Sequence, residues 1–137
     1  DAITGAVVVK PGLNSHDLSC VGAVCSVFLR KDAHDPILIT LANHIEKTQK
    51  PTAWPTNTYY LYYNSMAIFQ LGDERFVPWS KQVDTLVCKA QRLEGCFSGS
   101  WDWEGTAFHG HDTGRLLSTA YCTLALEVIY RWKQVAH

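Results

Sequence analysis

Apolar residues recur every three or four positions along most of this chain, a spacing that is typical of helices with one buried face. The pattern predicts five helices, over about 16–30, 36–48, 58–71, 74–92 and 115–135. Asp35 and Pro36 are expected to start the second helix, because Asp accepts from free N–H groups and Pro fits the first turn. Asn57 and Gly72 are expected to cap the two ends of the third. No convincing pair of strands is indicated, so the sequence predicts an all-α fold.

The first two helical hairpins resemble each other when the sequence is shifted by 42 positions. The paired positions are Leu29 with Leu71, Pro36 with Pro78, Leu41 with Val83, Ile45 with Val87 and Gln49 with Gln91. At a shift of 54, Asn64–Ser65 resembles Ser118–Thr119 in the last helix. Helical repeats bury a continuous core by stacking. We therefore expect one domain over residues 1–137, made of two hairpins and the first helix of a third, within a larger polypeptide.

The charge of the chain is nearly balanced, with 12 basic and 13 acidic residues and a net charge of −1. This composition has no basic excess that would attract nucleic acid or an anionic membrane. A long uncharged stretch contains Pro51 and Pro55 and is rich in Tyr, which makes it a poor membrane span. We therefore expect neither a nucleic-acid partner nor a membrane-spanning segment.

The five cysteines do not form a disulfide framework, because their number is odd and no CxxC motif occurs. Four of them lie in apolar helical patterns and are expected to be buried: Cys20, Cys25, Cys88 and Cys122. Cys96 lies in a glycine-rich loop and is expected to be exposed, and one disulfide that includes it stays open at this point.

Three possible metal ligands fall within four residues, at His109, His111 and Asp112. Such a cluster is more often a solvated turn, so we expect neither a metal nor another cofactor. With Asp102, the same residues are the candidates for acid–base catalysis. The interpretation that we favour is structural: Asp112 or Thr113 caps the last helix and Arg115 is exposed or pairs with an acid.

The aromatic and amide residues of the third helix are the main candidates for binding. Tyr60 and Tyr63 are expected to face one way and Tyr59 and Tyr62 another, so that only half of them could line one cavity. Core packing with satisfied hydroxyls is the favoured interpretation, and binding of an apolar or carbohydrate ligand is the alternative. The polar side chains of this apolar helix, Asn64, Ser65 and Gln70, need partners or a wet cavity. Trp101, with Arg115, is a further binding candidate, although it is first expected to anchor its loop.

Several segments resemble one family of helical repeats. Residues 91–95 and 99–102, QRLEG and GSWD, resemble the Gln…Gly…Trp (QW) signature of squalene cyclases. Residues 57–70 and 114–132 are similar to prenyltransferase/squalene-oxidase-repeat proteins of planctomycete-like bacteria, and 17–25 resembles the start of an earlier hairpin there. The resemblance covers the chain from about residue 12 onward. It implies helical hairpins of the α/α-toroid type, in a partial ring of about five to six helices.

The catalytic motifs of that family are missing. No DxDD motif occurs, and Ser118 stands near the position at which prenyltransferases have a zinc-binding His. Cys96 is followed by Phe97, so the thioester motif of the complement-type toroids is also missing. The resemblance thus implies a non-catalytic repeat module for ligand or protein binding, whose partner is the rest of its own polypeptide or a second copy.

Two enzymatic alternatives stay open. One is a terpene-cyclase or prenyltransferase type of enzyme whose site is completed by other segments. The other is a toroid hydrolase or lyase that acts on polysaccharide, with Asp102, His109, His111 and Tyr63 as its candidate residues. A fold alone does not select among these functions.

Overall fold

The computed structural model describes residues 19–29, 32, 34–72, 74–102 and 110–130, and these residues form five helices and no strand. The helices are α1 (Ser19–Phe28), α2 (Pro36–Thr48), α3 (Thr58–Leu71), α4 (Phe76–Ala90) and α5 (Gly110–Tyr130). The predicted all-α fold is therefore confirmed.

The five helices pack in an alternating order. Helix α3 lies between α1 and α5, whereas α2 packs against α1 and α3, and α4 packs against α3 and α5. Helices α1, α3 and α5 thus form one row, and we call them the inner helices. Helices α2 and α4 each pack against two neighbouring helices of this row. Helix α3 is the centre of the core, because ten of its 14 residues are buried.

The helix ends follow the local sequence where a side chain can cap them. The Asp35 carboxylate accepts from the Ile37 N–H at 2.8 Å, and Pro36 is the first residue of α2. The Asn57 side chain accepts from the first N–H groups of α3, and Gly72 ends that helix with a φ of 67°. The predicted boundaries of α2 and α3 are confirmed, because these residues satisfy backbone groups that the helix itself leaves free.

Three predicted boundaries are corrected. Helix α1 ends at Phe28, and α4 is shorter by two residues at each end than predicted, since Arg75 makes no side-chain cap and Gln91 is extended. Helical backbone starts at Gly110, and Gly114 interrupts it with φ 53° and ψ −140°. The predicted cap at Asp112 or Thr113 stays a prediction, because the side chains of both residues lie outside the part of the chain that the structure describes.

Two of the four cysteines that were predicted to be buried are buried in the structure. Cys20 and Cys122 are fully buried, but Cys25 and Cys88 are exposed, and all five thiols are free. The prediction for these two was wrong because consecutive residues on a helix point about 100° apart. Cys88 follows the buried Val87 and therefore points away from the core.

Within the described part of the chain, no helix has the length and apolar character that a membrane crossing requires. The expectation that no segment spans a membrane agrees with this finding.

Candidate functional site

Four aromatic rings from two inner helices form one continuous group, the tyrosine cluster (Tyr59, Tyr62, Tyr63 and Tyr121). The ring of Tyr63 lies 4.6 Å from that of Tyr59 and 4.8 Å from that of Tyr62, measured between ring centres. Tyr121 of α5 completes the cluster, at 5.6 Å from Tyr59 and 6.0 Å from Tyr62. All four residues are partly exposed, so the cluster forms part of the surface of the inner helices.

The geometry of α3 explains why these rings meet. Residues three and four positions apart share one helix face, so Tyr59, Tyr62 and Tyr63 point in similar directions. The prediction that Tyr59 and Tyr62 face away from Tyr63 was therefore wrong. Tyr60 contacts Tyr59 of the cluster, with ring centres 5.5 Å apart.

Three hydroxyl groups of the cluster, those of Tyr59, Tyr62 and Tyr121, have raised pKa values. Burial, with a smaller contribution from the neighbouring Tyr63, raises the pKa of Tyr59 to about 12. Burial is also the main cause that raises the pKa of Tyr62 and of Tyr121. The cluster therefore presents neutral rings with hydroxyls that can donate and accept hydrogen bonds.

Helix α3 also carries polar side chains that lie in the core. Ser65 is buried, donates to the Leu61 carbonyl at 2.6 Å and accepts from the Trp79 indole at 3.0 Å. Asn64 is fully buried, and neither atom of its amide group has a hydrogen-bond partner. Gln70 is 1% exposed, so it is part of the core and not of an open surface.

The loop after α4 is held by many hydrogen bonds. The Gln91 side chain donates to the Gly99 carbonyl at 3.0 Å, and the Arg92 N–H donates to the Ser100 carbonyl at 2.9 Å. Trp101 is buried, and its indole donates to the Val87 carbonyl at 2.8 Å. Trp101 therefore anchors the loop to α4, which is the interpretation that the sequence favoured over ligand stacking.

Asp102 lies between two arginines at the end of this loop. One carboxylate oxygen is 3.2 Å from the Arg92 guanidinium, and the other pairs with Arg115. The Arg115 guanidinium also lies over the ring of Phe97, 4.5 Å from its centre, and donates to Ser100. Both oxygens of Asp102 and the Arg115 guanidinium thus hold the loop against α5, in agreement with the predicted pairing of Arg115 with an acid.

The side chains of the other candidate catalytic or metal-binding residues lie outside the part of the chain that the structure describes. His109 is not described, and of His111 and Asp112 only the helical backbone is. Within the described residues, no group of three His, Cys, Asp or Glu side chains could hold a metal ion.

Sequence reasoning missed Tyr121 as a member of the site. The sequence of α5 does contain a pattern that could have located it. Small residues recur every three or four positions and form the buried face of the helix: Ser118, Cys122 and Ala125. Tyr121 precedes Cys122 and therefore lies at the border of that face. Its neighbours on α3 could not be identified, because the contact between α3 and α5 joins residues that are 58–62 positions apart in the sequence.

Comparison with known proteins does not assign this site. No family model matches the chain, and no curated protein and no solved structure matches it either.

Proposed function

We propose that this chain is a non-catalytic helical repeat module that binds a ligand on its tyrosine cluster. The observation that carries the proposal is the contact of four partly exposed tyrosine rings across α3 and α5. Large aromatic surfaces combine apolar contact with hydroxyl groups that can form hydrogen bonds. A ligand with flat apolar faces and hydroxyl groups, such as a carbohydrate, fits this surface best, and a purely apolar chain is the other candidate.

The chemistry of the loop supports a binding role over a catalytic one. Among the candidate catalytic residues of the loop, Asp102 is the one whose side chain is described, and arginines occupy both of its oxygens. A general base needs an oxygen within reach of a substrate proton. Asp102 instead serves to fix the loop, together with Trp101.

The resemblance to squalene-cyclase and prenyltransferase-like repeats is part of the same proposal. The alternating helix packing supports it. So do the hydrogen bonds of Gln91 and Trp101, the Gln and Trp of the segment that resembles the repeat signature. Partners in this proposal are further hairpins of its own polypeptide or a second copy. An apolar residue at the open side of α5, Leu116, is 81% exposed and would be covered by such a neighbour.

Calorimetric titration with a soluble oligosaccharide and with a short isoprenoid alcohol tests the ligand class. We expect saturable binding of the oligosaccharide to the full chain, and its loss in Tyr63→Ala, because Tyr63 contacts the other three rings. Tyr130→Ala is the matched control, since Tyr130 is exposed and bonds to Asp84 outside the cluster. Circular dichroism checks that both variants keep their helices.

Two results would contradict the proposal. Equal binding by the Tyr63→Ala and Tyr130→Ala variants would separate the ligand from the tyrosine cluster. Turnover of either compound, followed by product analysis, would show an enzyme and would favour one of the two enzymatic alternatives.

A further inference from the structure

A groove lies on the outer side of the molecule, between α4 and the segment that joins α2 to α3. Its volume is about 460 Å³, and its walls come from α4 and from Pro51 and Thr52. The Gln82 side chain donates to the Pro51 carbonyl and so ties the segment to the helix. The groove is separate from the tyrosine cluster, which is formed by the inner helices α3 and α5.

The lining of the groove combines apolar and positively charged residues. Pro51, Pro78 and Leu86 supply apolar surface, and Lys81 and Lys89 are the charged residues among the described ones that line it. Both lysines are exposed, and neither forms an ion pair with any residue that the structure describes. Leu86 is only partly buried and lies between the two lysines along α4.

The nearby acidic groups do not neutralise these lysines. Asp84 lies on α4 between them, but its carboxylate accepts from the Tyr130 hydroxyl at 2.8 Å and therefore faces α5. Glu46 of α2 lies 3.6 Å from the Arg75 guanidinium. The groove thus keeps a net positive charge, which attracts an anionic partner.

We propose that this groove binds an acidic segment of a partner protein in an extended conformation. Lys81 and Lys89 are eight residues apart, which is about 12 Å along a helix. An extended peptide covers about 13 Å in four residues, and its residues i, i+2 and i+4 lie on one side. We therefore expect the bound peptide to have acidic residues at i and i+4, which pair with the two lysines. An apolar residue at i+2 would contact Leu86, which lies between them along α4.

A labelled peptide with the sequence Glu-Ala-Leu-Ala-Glu, blocked at both ends, tests this site by fluorescence anisotropy with the full chain. We expect saturable binding that weakens as salt is added, because the attraction between exposed charges is screened. The double variant Lys81→Glu and Lys89→Glu is expected to bind about tenfold more weakly, since two attractions become repulsions. Lys47→Glu is the matched control, because this exposed lysine of α2 does not line the groove.

The peptide supplies two further controls. Replacing both of its Glu residues by Gln is expected to weaken binding by about threefold, because two attractions are lost and no repulsion replaces them. Placing the two Glu residues next to each other is also expected to weaken binding. Equal affinity of the double variant and Lys47→Glu would overturn the proposal, as would equal binding of the Glu and Gln peptides. Binding of the chain to vesicles with anionic lipids in place of the peptide would overturn it too. Tyr63→Ala is expected to keep full peptide binding, which separates this site from the proposed ligand surface.

Discussion

The buried pair Asn64 and Ser65 predicts opposite effects of two neighbouring substitutions on stability. Both side chains are fully buried on α3, but Ser65 makes two hydrogen bonds and the amide of Asn64 makes none. A buried polar group without a partner costs about 1–3 kcal/mol by mutational data. Replacing Asn64 by Leu removes that cost, keeps the same branched arrangement of four side-chain heavy atoms and introduces a better helix former.

We expect Asn64→Leu to raise the free energy of unfolding by about 2 kcal/mol. Ser65→Ala is expected to lower it by about 1–3 kcal/mol, because the Trp79 indole N–H then stays buried without its acceptor. For a chain of this length, each kcal/mol corresponds to roughly 4 °C in melting temperature. The two variants are therefore expected to differ in melting temperature by roughly 16 °C.

Urea unfolding followed by circular dichroism measures both changes, and the fluorescence of the five tryptophans gives a second probe. The slope of free energy against urea concentration is expected to stay constant, since neither substitution changes the surface exposed on unfolding by much. A loss of more than about 1 kcal/mol in Asn64→Leu would refute the reasoning, because it would mean that the amide is satisfied in the folded state.

Three further predictions follow from the cysteines, the tyrosine cluster and the loop. A thiol reagent is expected to modify three cysteines in the folded chain and five after denaturation, with Cys88 the slowest of the three, since burial and the adjacent Asp84 raise its pKa. The pKa of Tyr59 is about 12 in the folded state, whereas a tyrosine of the unfolded chain loses its proton near pH 10. The free energy of unfolding is therefore expected to fall as the pH rises from about 10 to about 12. Ultraviolet titration is expected to show an ionisation near pH 12 that is missing in Tyr59→Phe, and an unchanged titration would contradict the assignment. Asp102→Asn is expected to cost about 1 kcal/mol at low salt and less at high salt, measured by urea unfolding, because its arginine pairs are partly exposed.

Local chemistry in the sequence was enough to define the helices and two of their ends. Asp35 with Pro36, and Asn57 with Gly72, set the limits of α2 and α3 because each acts on backbone groups within a few residues. The boundaries of α1 and α4 were less accurate because no such side chain acts at the described ends, and Gly114 placed a break inside α5 that periodicity does not detect. The role of Trp101 as an anchor was also predictable, since it lies in the loop that directly follows the helix to which it bonds.

Only the tertiary structure decided which side chains meet across helices. The sequence identified Tyr59, Tyr62 and Tyr63 but divided them between two faces, and it gave no sign that Tyr121 would join them. The same is true of the groove, where Pro51 meets α4 through Gln82, 31 positions further along the chain. Helix formation depends on contacts within four residues, whereas both proposed sites depend on how separate helices and connecting segments pack. The sequence by itself therefore determined the helices, and the packing of these helices determined the two surfaces that we propose for binding.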